Sequence, residues 1–444
     1  MKKLFTLLVL CVLCLNMSAQ SSTNKIVLSI APNATEVQFA VKLDGATSYS
    51  VNFGIGEGVQ TFNKATTEDF IKVHYTFTHP RSSAREITLD ATNIVTFRVT
   101  ASKAINGIKE VVSDKIKELG FANTNLDAYP SLDISQCPAL VNAVFVGSNL
   151  ESVKLPAGKT LESIQVSASW FGTKKSLKEI NLSDAEGLKS ILITDAVLTE
   201  VDLSKQTDLE TLCIYNPNKI GLRKIIGAKN LLKITRLNLN GNNLGFDQIP
   251  NRVIDEAPLE QFQYAQSYYY VDKSKINNNT IDLSHLLKTK GISTSEQKSS
   301  FTWLWKAKKE DKLSVVPAQY VKEENGKFTI DPTPLNTENF YVAVRITNPG
   351  YPEIGTKGKN YLQSYNLYIT KGTTNGVESV STKEGVNISI TADGVQLSTE
   401  SPNRVSIFNV NGTKVWEGIA PANVSLQKSV YILQTANGNT KFVR

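Results

Sequence analysis

Between positions 116 and 244 the apolar residues recur in a frame that neither an isolated helix, with a period near 3.6, nor an isolated strand, with a period of 2, produces. Written L-x-x-L-x-L-x-x-N-x-L, it fits Ile116-Leu119-Phe121-Leu126, Leu140-Ala143-Phe145-Leu150, Leu161-Ile164-Val166, Leu188-Ile191-Ile193-Leu198, Leu209-Leu212-Ile214-Ile220 and Ile234-Leu237-Leu239-Leu244, with starts 24, 21, 27, 21 and 25 residues apart. A second apolar half-turn lies between copies, as in Leu132-Ile134, Leu177-Ile180-Leu182 and Leu198-Val201-Leu203. A unit this short has no second layer to bury its apolar side against, so it is stable only when stacked on its neighbours. The first, fourth and sixth positions of the frame must therefore point into the stack. The third, fifth and seventh point out of it.

A turn of this length and signature is a leucine-rich repeat. The phrases VDLSKQTDLETLCIYNPN and INLSDAEGLKSILITDAVL resemble the bacterial leucine-rich-repeat surface proteins whose turns alternate an L-D-L-S half with an L-x-x-L-x-C half. That resemblance implies a cell-surface or secreted protein with little helix in its turns. The last copy, ITRLNLNGNNL, places Asn242 where such repeats use an amide to satisfy turn backbone groups. Thr124, Ser148, Ser169, Ala196 and Pro217 stand there in the other copies, which predicts a degraded asparagine ladder.

A chain of 444 residues exceeds one ordinary core, so two to four domains are expected. Alternating runs at 25–30, 37–42, 48–53, 73–77 and 94–99, broken by Gly, Asn, Pro and Asp, predict a β-sandwich over 20–105. NFGIGEG (52–58) followed by YTFTHP resembles the strand and turn of polycystic-kidney-disease-type sandwich domains, with Ile55 where those have an acidic residue. Its glycines read as turn glycines, because no helix signal follows to make them a phosphate loop. The solenoid is expected over 106–250. A capping segment and an immunoglobulin-like sandwich follow over 251–370, with strands at 301–305, 327–330, 340–346 and 365–369, and Trp303 and Trp305 sharing one core-facing side. The overall class is mainly β: a leucine-rich-repeat solenoid flanked by β-sandwich domains, with a small C-terminal β-sandwich module.

That last module, 377–444, follows a Gly- and Thr-containing linker at 371–376. It opens a hairpin at VSIFNVNGTKVWEG, turning at Asn411-Gly412, and closes with another near Asn437-Gly438. Strand pair, following Tyr431 strand and basic terminus resemble the C-terminal sorting domains of the type IX secretion system, although Ser429 replaces the usual Gly and no Tyr-Pro-Asn-Pro opener precedes them. The resemblance implies a Gram-negative cell, export through its outer membrane by that machinery, and release or anchoring at the surface. MKKLFTLLVLCVLCLNMSAQ agrees: two lysines, an apolar run and a small-residue site predict a signal peptide over 1–19. Leu precedes both Cys11 and Cys14, which argues against lipidation. No later apolar run reaches membrane-spanning length.

Chemistry is sparse. His74, His79 and His285 show no metal-ligand spacing and no nucleophile elbow. Asp184, Asp195 and Asp202 fall at solenoid turns, where aspartate caps backbone groups. Cys137 and Cys213 lie several repeats apart and read as free thiols. The net charge of +7 is scattered over 48 basic and 41 acidic residues, so no nucleic-acid stripe exists. Neither metal nor cofactor is expected, and the chain reads as non-catalytic.

What remains is the outward row, expected to be a concave face: Gln165, Thr194, Tyr215, Arg236, Asn238 and Asn240 are its candidate binding residues, with Tyr215 and Arg236 as adjacent anchors. Two readings stand, a surface that hydrogen-bonds an extended partner and a merely solvated one. Beyond the last repeat, Tyr264, Tyr268, Tyr269 and Tyr270 either cap the open core or form a stacking platform for sugars. The function expected is extracellular protein binding or adhesion, with a glycan-binding or glycan-processing accessory as the alternative; an exported peptidase lacks residues to run it.

Overall fold

The structure, a computed structural model, describes residues 24–54, 56–168, 176–216, 221–253, 258–337, 339–355, 358–370, 380–381, 386–390, 394–399, 403–427, 429–435 and 438–443. The leader at 1–19, the linker at 371–376 and the ladder positions Ser169 and Pro217 lie outside these residues. The chain divides into two compact units: Met1–Tyr270 with Leu286–Phe301 and Arg345–Tyr365, and Val271–His285 with Thr302–Val344 and Asn366–Arg444.

The first unit opens with eight strands: β1 (Lys25–Ile30), β2 (Glu36–Leu43), β3 (Ser48–Asn52), β4 (Val59–Asn63), β5 (Ile71–Thr76), β6 (Arg85–Asp90), β7 (Ile94–Thr100) and β8 (Ile105–Val112). β1 lies antiparallel between β6 and β8, β2 lies antiparallel between β5 and β7, and β3 pairs with β4. β4, β6 and β8 are additional to the strands expected from sequence, although Arg85–Asp90 alternates buried and exposed residues throughout. The turn glycines Gly54, Gly56 and Gly58 have φ of 98°, 86° and 72°, a region that only glycine enters freely. They turn Glu57 inward, where its carboxylate accepts from the backbone N–H of Thr78 (2.9 Å) and His79 (3.1 Å), from Tyr75 Oη (2.9 Å) and from Arg85 Nη1 (3.2 Å). Arg85 also donates to the His79 carbonyl and lies 4.1 Å from the centre of the Phe77 ring. Burial alone would raise the Glu57 pKa, but these four hydrogen bonds outweigh it and hold the carboxyl down at about 2.

The solenoid then alternates longer strands with short ones on its opposite side: β9 (Glu118–Ala122), β10 (Ser131–Asp133), β11 (Asn142–Phe145), β12 (Ser152–Lys154), β13 (Ser163–Ser167), β14 (Glu179–Ile180), β15 (Ser190–Thr194), β16 (Glu200–Asp202), β17 (Thr211–Tyr215), β18 (Lys224–Ile226) and β19 (Arg236–Asn238). The odd-numbered strands pair in parallel with Glu118, Asn142, Ser163, Ser190, Thr211 and Arg236 side by side, the register of the repeat frame. It is a leucine-rich-repeat-type β-solenoid of six turns. Leu119, Ala143, Ile164, Ile191, Leu212 and Leu237 are all buried in one column, each large member stabilising the stack by roughly 1.5–3 kcal/mol relative to exposure. Rings meet where the antiparallel strands join the first repeat: Phe97, in the Leu119 column, and Phe121 and Phe145, in the next one, follow one another at 5.5 and 6.4 Å between centroids.

The solenoid sheet does not start at the first repeat. β7 pairs in parallel with β9, Thr96 opposite Glu118, so β5, β2 and β7 continue the sheet that runs through β19 to β20 (Phe262–Gln263).

The ladder is also fuller than the sequence frame implied. Asn242 Nδ2 donates to the carbonyls of Ile214 (2.7 Å) and Leu239 (2.9 Å), while Oδ1 accepts from Leu222 N and Asn216 Nδ2. Gly221 permits this approach, since a Cβ there would sit 2.5 Å from that Oδ1. Ser148 Oγ donates to the Phe145 carbonyl and Thr124 Oγ1 to that of Ala122. Past the last repeat, Gln266 spans the Leu239 and Tyr264 carbonyls and accepts from Leu244 N. Amides one residue off the frame, and hydroxyls in it, thus replace the missing asparagines, because each buried turn needs its polar groups satisfied whatever residue supplies the atom.

In the second unit, Thr280–Asp282 pairs with Lys327–Ile330, and Phe340 and Val342 pair with Ile369 and Leu367. Trp303 packs on Phe328 and Trp305 on Tyr320. Leu304 between them is buried too, so both sides of that strand are covered rather than one. The C-terminal module forms two four-stranded sheets around Ile388, Leu397, Val405, Ile407, Tyr431 and Leu433. Its expected hairpin joins Asn403–Asn409 to Lys414–Ala420, with Gly412 at φ 76°.

Candidate functional site: the outer row of the long sheet

Strand alternation sorts the repeat residues as the frame requires. The core positions are buried, and Gln165, Thr194, Asn238 and Asn240 are half-buried on the outer side with Tyr215 and Arg236 exposed. The parallel register corrects one juxtaposition. Arg236 stands opposite Thr211, and Tyr215 opposite Thr194. Tyr215 and Arg236 therefore sit at opposite ends of adjacent strands, four residues or about 13 Å apart along the strand direction at ~3.3 Å per residue. They do not make one anchor.

At the C-terminal end the polar groups of the row are engaged within the chain. Asn238 Oδ1 accepts from Asn240 N; Asn240 Oδ1 accepts from Ala265 N at 2.7 Å, and its amide donates to Gln263. Thr194 lies between Ser167 and Tyr215 in the register. Cys213 has its pKa raised by burial, partly offset by the Arg236 charge, and burial pushes Cys137 up to about 11. Both are free and protonated at neutral pH, hence poor nucleophiles.

The row opens instead at its N-terminal end. Arg98, Glu118, Gly120, Ala122, Asn142, Val144, Ser163 and Gln165 line a depression of about 380 Å³ across β7, β9, β11 and β13. Small side chains at Gly120, Ala122 and Val144 lower its floor. Arg98 and Glu118, paired at 2.8 Å, form a charged rim, and Asn142, Ser163 and Gln165 offer uncharged donors and acceptors. Arg98 and Thr100 belong to a strand that sequence reasoning assigned to a separate sandwich. No local signal in the sequence places them there; the register does, with Phe97 opposite Leu119, one strand before the first repeat.

The four tyrosines do not share a face. Tyr264 and Tyr269 are buried: Tyr264 meets the Tyr351 ring edge-on at 5.0 Å, and Tyr351 stacks on Phe246 at 5.6 Å. They close the open end of the solenoid. Tyr270 is half-buried under the Arg223 guanidinium, 4.2 Å from its ring centre, and Tyr268 alone is exposed, tilted against Tyr365. His74 pairs with the exposed Glu36 at 3.0 Å. Among the described residues no three His, Cys, Asp or Glu side chains gather as metal ligands, and no helix is long and apolar enough to cross a membrane.

No protein-family model matches the sequence, and no curated protein does. Among solved structures the chain is similar to an internalin-like protein of Listeria monocytogenes, with 13% identity over 59% of this chain and 81% of that one and a TM-score of 0.29. It is also similar to the functional domain of InlJ from Listeria monocytogenes, which includes a cysteine ladder, with 13% identity over 58% of this chain and 63% of that one and a TM-score of 0.24. The repeat assignment above rests on the chain's own register.

Proposed function

We propose that this is an exported, non-catalytic surface protein that binds an extracellular protein through the outer row of its long sheet. The observation that carries the reading is the depression on β7, β9, β11 and β13: small residues at its floor, uncharged hydrogen-bonding groups around it and one ion pair at its edge. Such a site accepts a large apolar side chain of a partner, while the polar rim satisfies the partner's backbone without burying unpaired charge. The division of the tyrosines between core and surface favours a protein ligand over a sugar platform. On an array of extracellular-matrix proteins and glycans, the full chain is expected to bind one protein class. Binding to glycans alone would refute the reading, and no binding would leave the solenoid a scaffold.

The leader and the C-terminal module support export by the type IX route in a Gram-negative cell. The module has its own core. Deleting 377–444 is expected to trap the protein in the periplasm, scored by fractionation and surface proteolysis. Undiminished surface display of the truncated chain would refute that route.

A further inference from the structure

The depression that carries the binding reading does not end at β7. A second one, of about 540 Å³, lies beyond it, lined by the β1–β2 connection (31–35), by Glu36 and Gln38 of β2, and by Thr100, Ala101 and Lys103 at the end of β7. Thr100 lines both. The two open on one side of the sheet. Arg98 and Thr100 pair with Gly120 and Ala122, Ala40 pairs with Arg98, and Gln38, two residues from Ala40, points the same way. The outer row is therefore one groove that crosses the strands from β13 to β2, over the joint between the repeats and the antiparallel strands.

Its far wall is held in place. Ala31 N donates to the Ala104 carbonyl at 2.7 Å, tying the two loops together, and Ala101 N donates to the Ala122 carbonyl at 2.8 Å. Ala101 has φ 52°, a conformation that an alanine keeps only where its surroundings impose it. In the first depression the Arg98 guanidinium lies over the Phe70 ring, 5.0 Å from its centre, and donates to Glu118. Fixed in this way, it is a flat wall on which an aromatic ring stacks. The charge of Arg98 is matched by Glu118, and Glu36 is hydrogen-bonded to His74 at 3.0 Å, on β5, the side of β2 away from β7. Lys103 is exposed at the far end of the groove and has no ion-pair partner among the described residues.

We propose that the partner presents an extended segment, with an aromatic side chain in the first depression and a carboxylate at Lys103 in the second. This rests on the binding reading above and names the chemistry of the ligand. From the floor between β9 and β11 to β2 is about two and a half strand spacings, or ~12 Å, which an extended chain covers in about four residues. Between the two anchors, Thr100 and Gln38 offer uncharged groups to its backbone. A lone cation at one end selects the partner and fixes its direction in the groove, because the wrong charge there is repelled.

Random linear peptides displayed on phage and selected on the full chain test this. Selected peptides are expected to share an aromatic residue and, about four residues from it, an aspartate or glutamate. Synthesised, they are expected to bind Val144→Arg and Lys103→Glu each about tenfold or more weaker than wild type. Changing the peptide's acidic residue to lysine is expected to restore binding to Lys103→Glu, which also shows that this variant is folded. Peptides weakened by Val144→Arg but indifferent to Lys103→Glu would overturn the extended groove and leave the first depression as the site. Peptides indifferent to both would overturn the two together. Selection of peptides with no shared aromatic or acidic residue, or of none at all, would overturn the segment proposed.

Discussion

Replacing Glu57 by alanine is expected to cost about 3–5 kcal/mol of folding stability, because it strands the buried Arg85 guanidinium without its counter-charge and leaves the Thr78 and His79 N–H groups without their acceptor. Urea unfolding of the purified chain measures it as a lower midpoint for the first unit. The pH dependence carries the sign. The carboxyl is held at about 2 in the folded chain against an ordinary value of 4.5, so between those values the unfolded chain binds more protons and stability falls as pH falls. The stability difference between wild type and Glu57→Gln is therefore expected to be constant above pH ~5 and to shrink from pH ~4.5 toward ~2. A difference that grows on acidification would contradict the assignment.

Phe121→Ala is expected to cost a further class of energy, about 3–5 kcal/mol from lost burial and the cavity left behind. Phe121 is fully buried between Phe97 and Phe145, and the row joins the antiparallel strands to the first repeat. Because a stacked repeat is held by nearest-neighbour contacts, the loss should concentrate there. Hydrogen exchange is expected to accelerate most in Glu118–Ala122 and Asn142–Phe145 and least in Arg236–Asn238. Uniform acceleration through all the strands would show that the phenylalanine row is not a local joint.

The repeat was legible because its physics is periodic. Leu119, Ala143, Ile164, Ile191, Leu212 and Leu237 share a column because each turn must bury the same position, and the frame read from sequence is the register observed. The joint at β7 was not legible. Ile94–Thr100 alternates like any antiparallel strand, and its parallel pairing with β9 is decided by tertiary contact, which leaves no local mark. Tyr215 and Arg236 were misplaced as a pair for a related reason: stacking neighbours share a repeat position, and these two do not. The ladder substitutes Asn216 and Gln266 escaped the frame because hydrogen bonding constrains the atom's place rather than the residue's number. The depression was invisible because it arises where two small residues on one strand, Gly120 and Ala122, meet Val144 on the next.

The most direct measurement of the central claim is the affinity of the full chain and its variants for the protein identified on the array. Val144→Arg, which fills the depression with charge, is expected to weaken binding tenfold or more, about 1.4 kcal/mol or above. Lys154→Ala, on the opposite side of the same turn, is expected to leave it within about twofold, as for a change outside the contact. Equal affinity for wild type and Val144→Arg, with Val144→Arg folded, would contradict the account, as would a loss confined to Lys154→Ala.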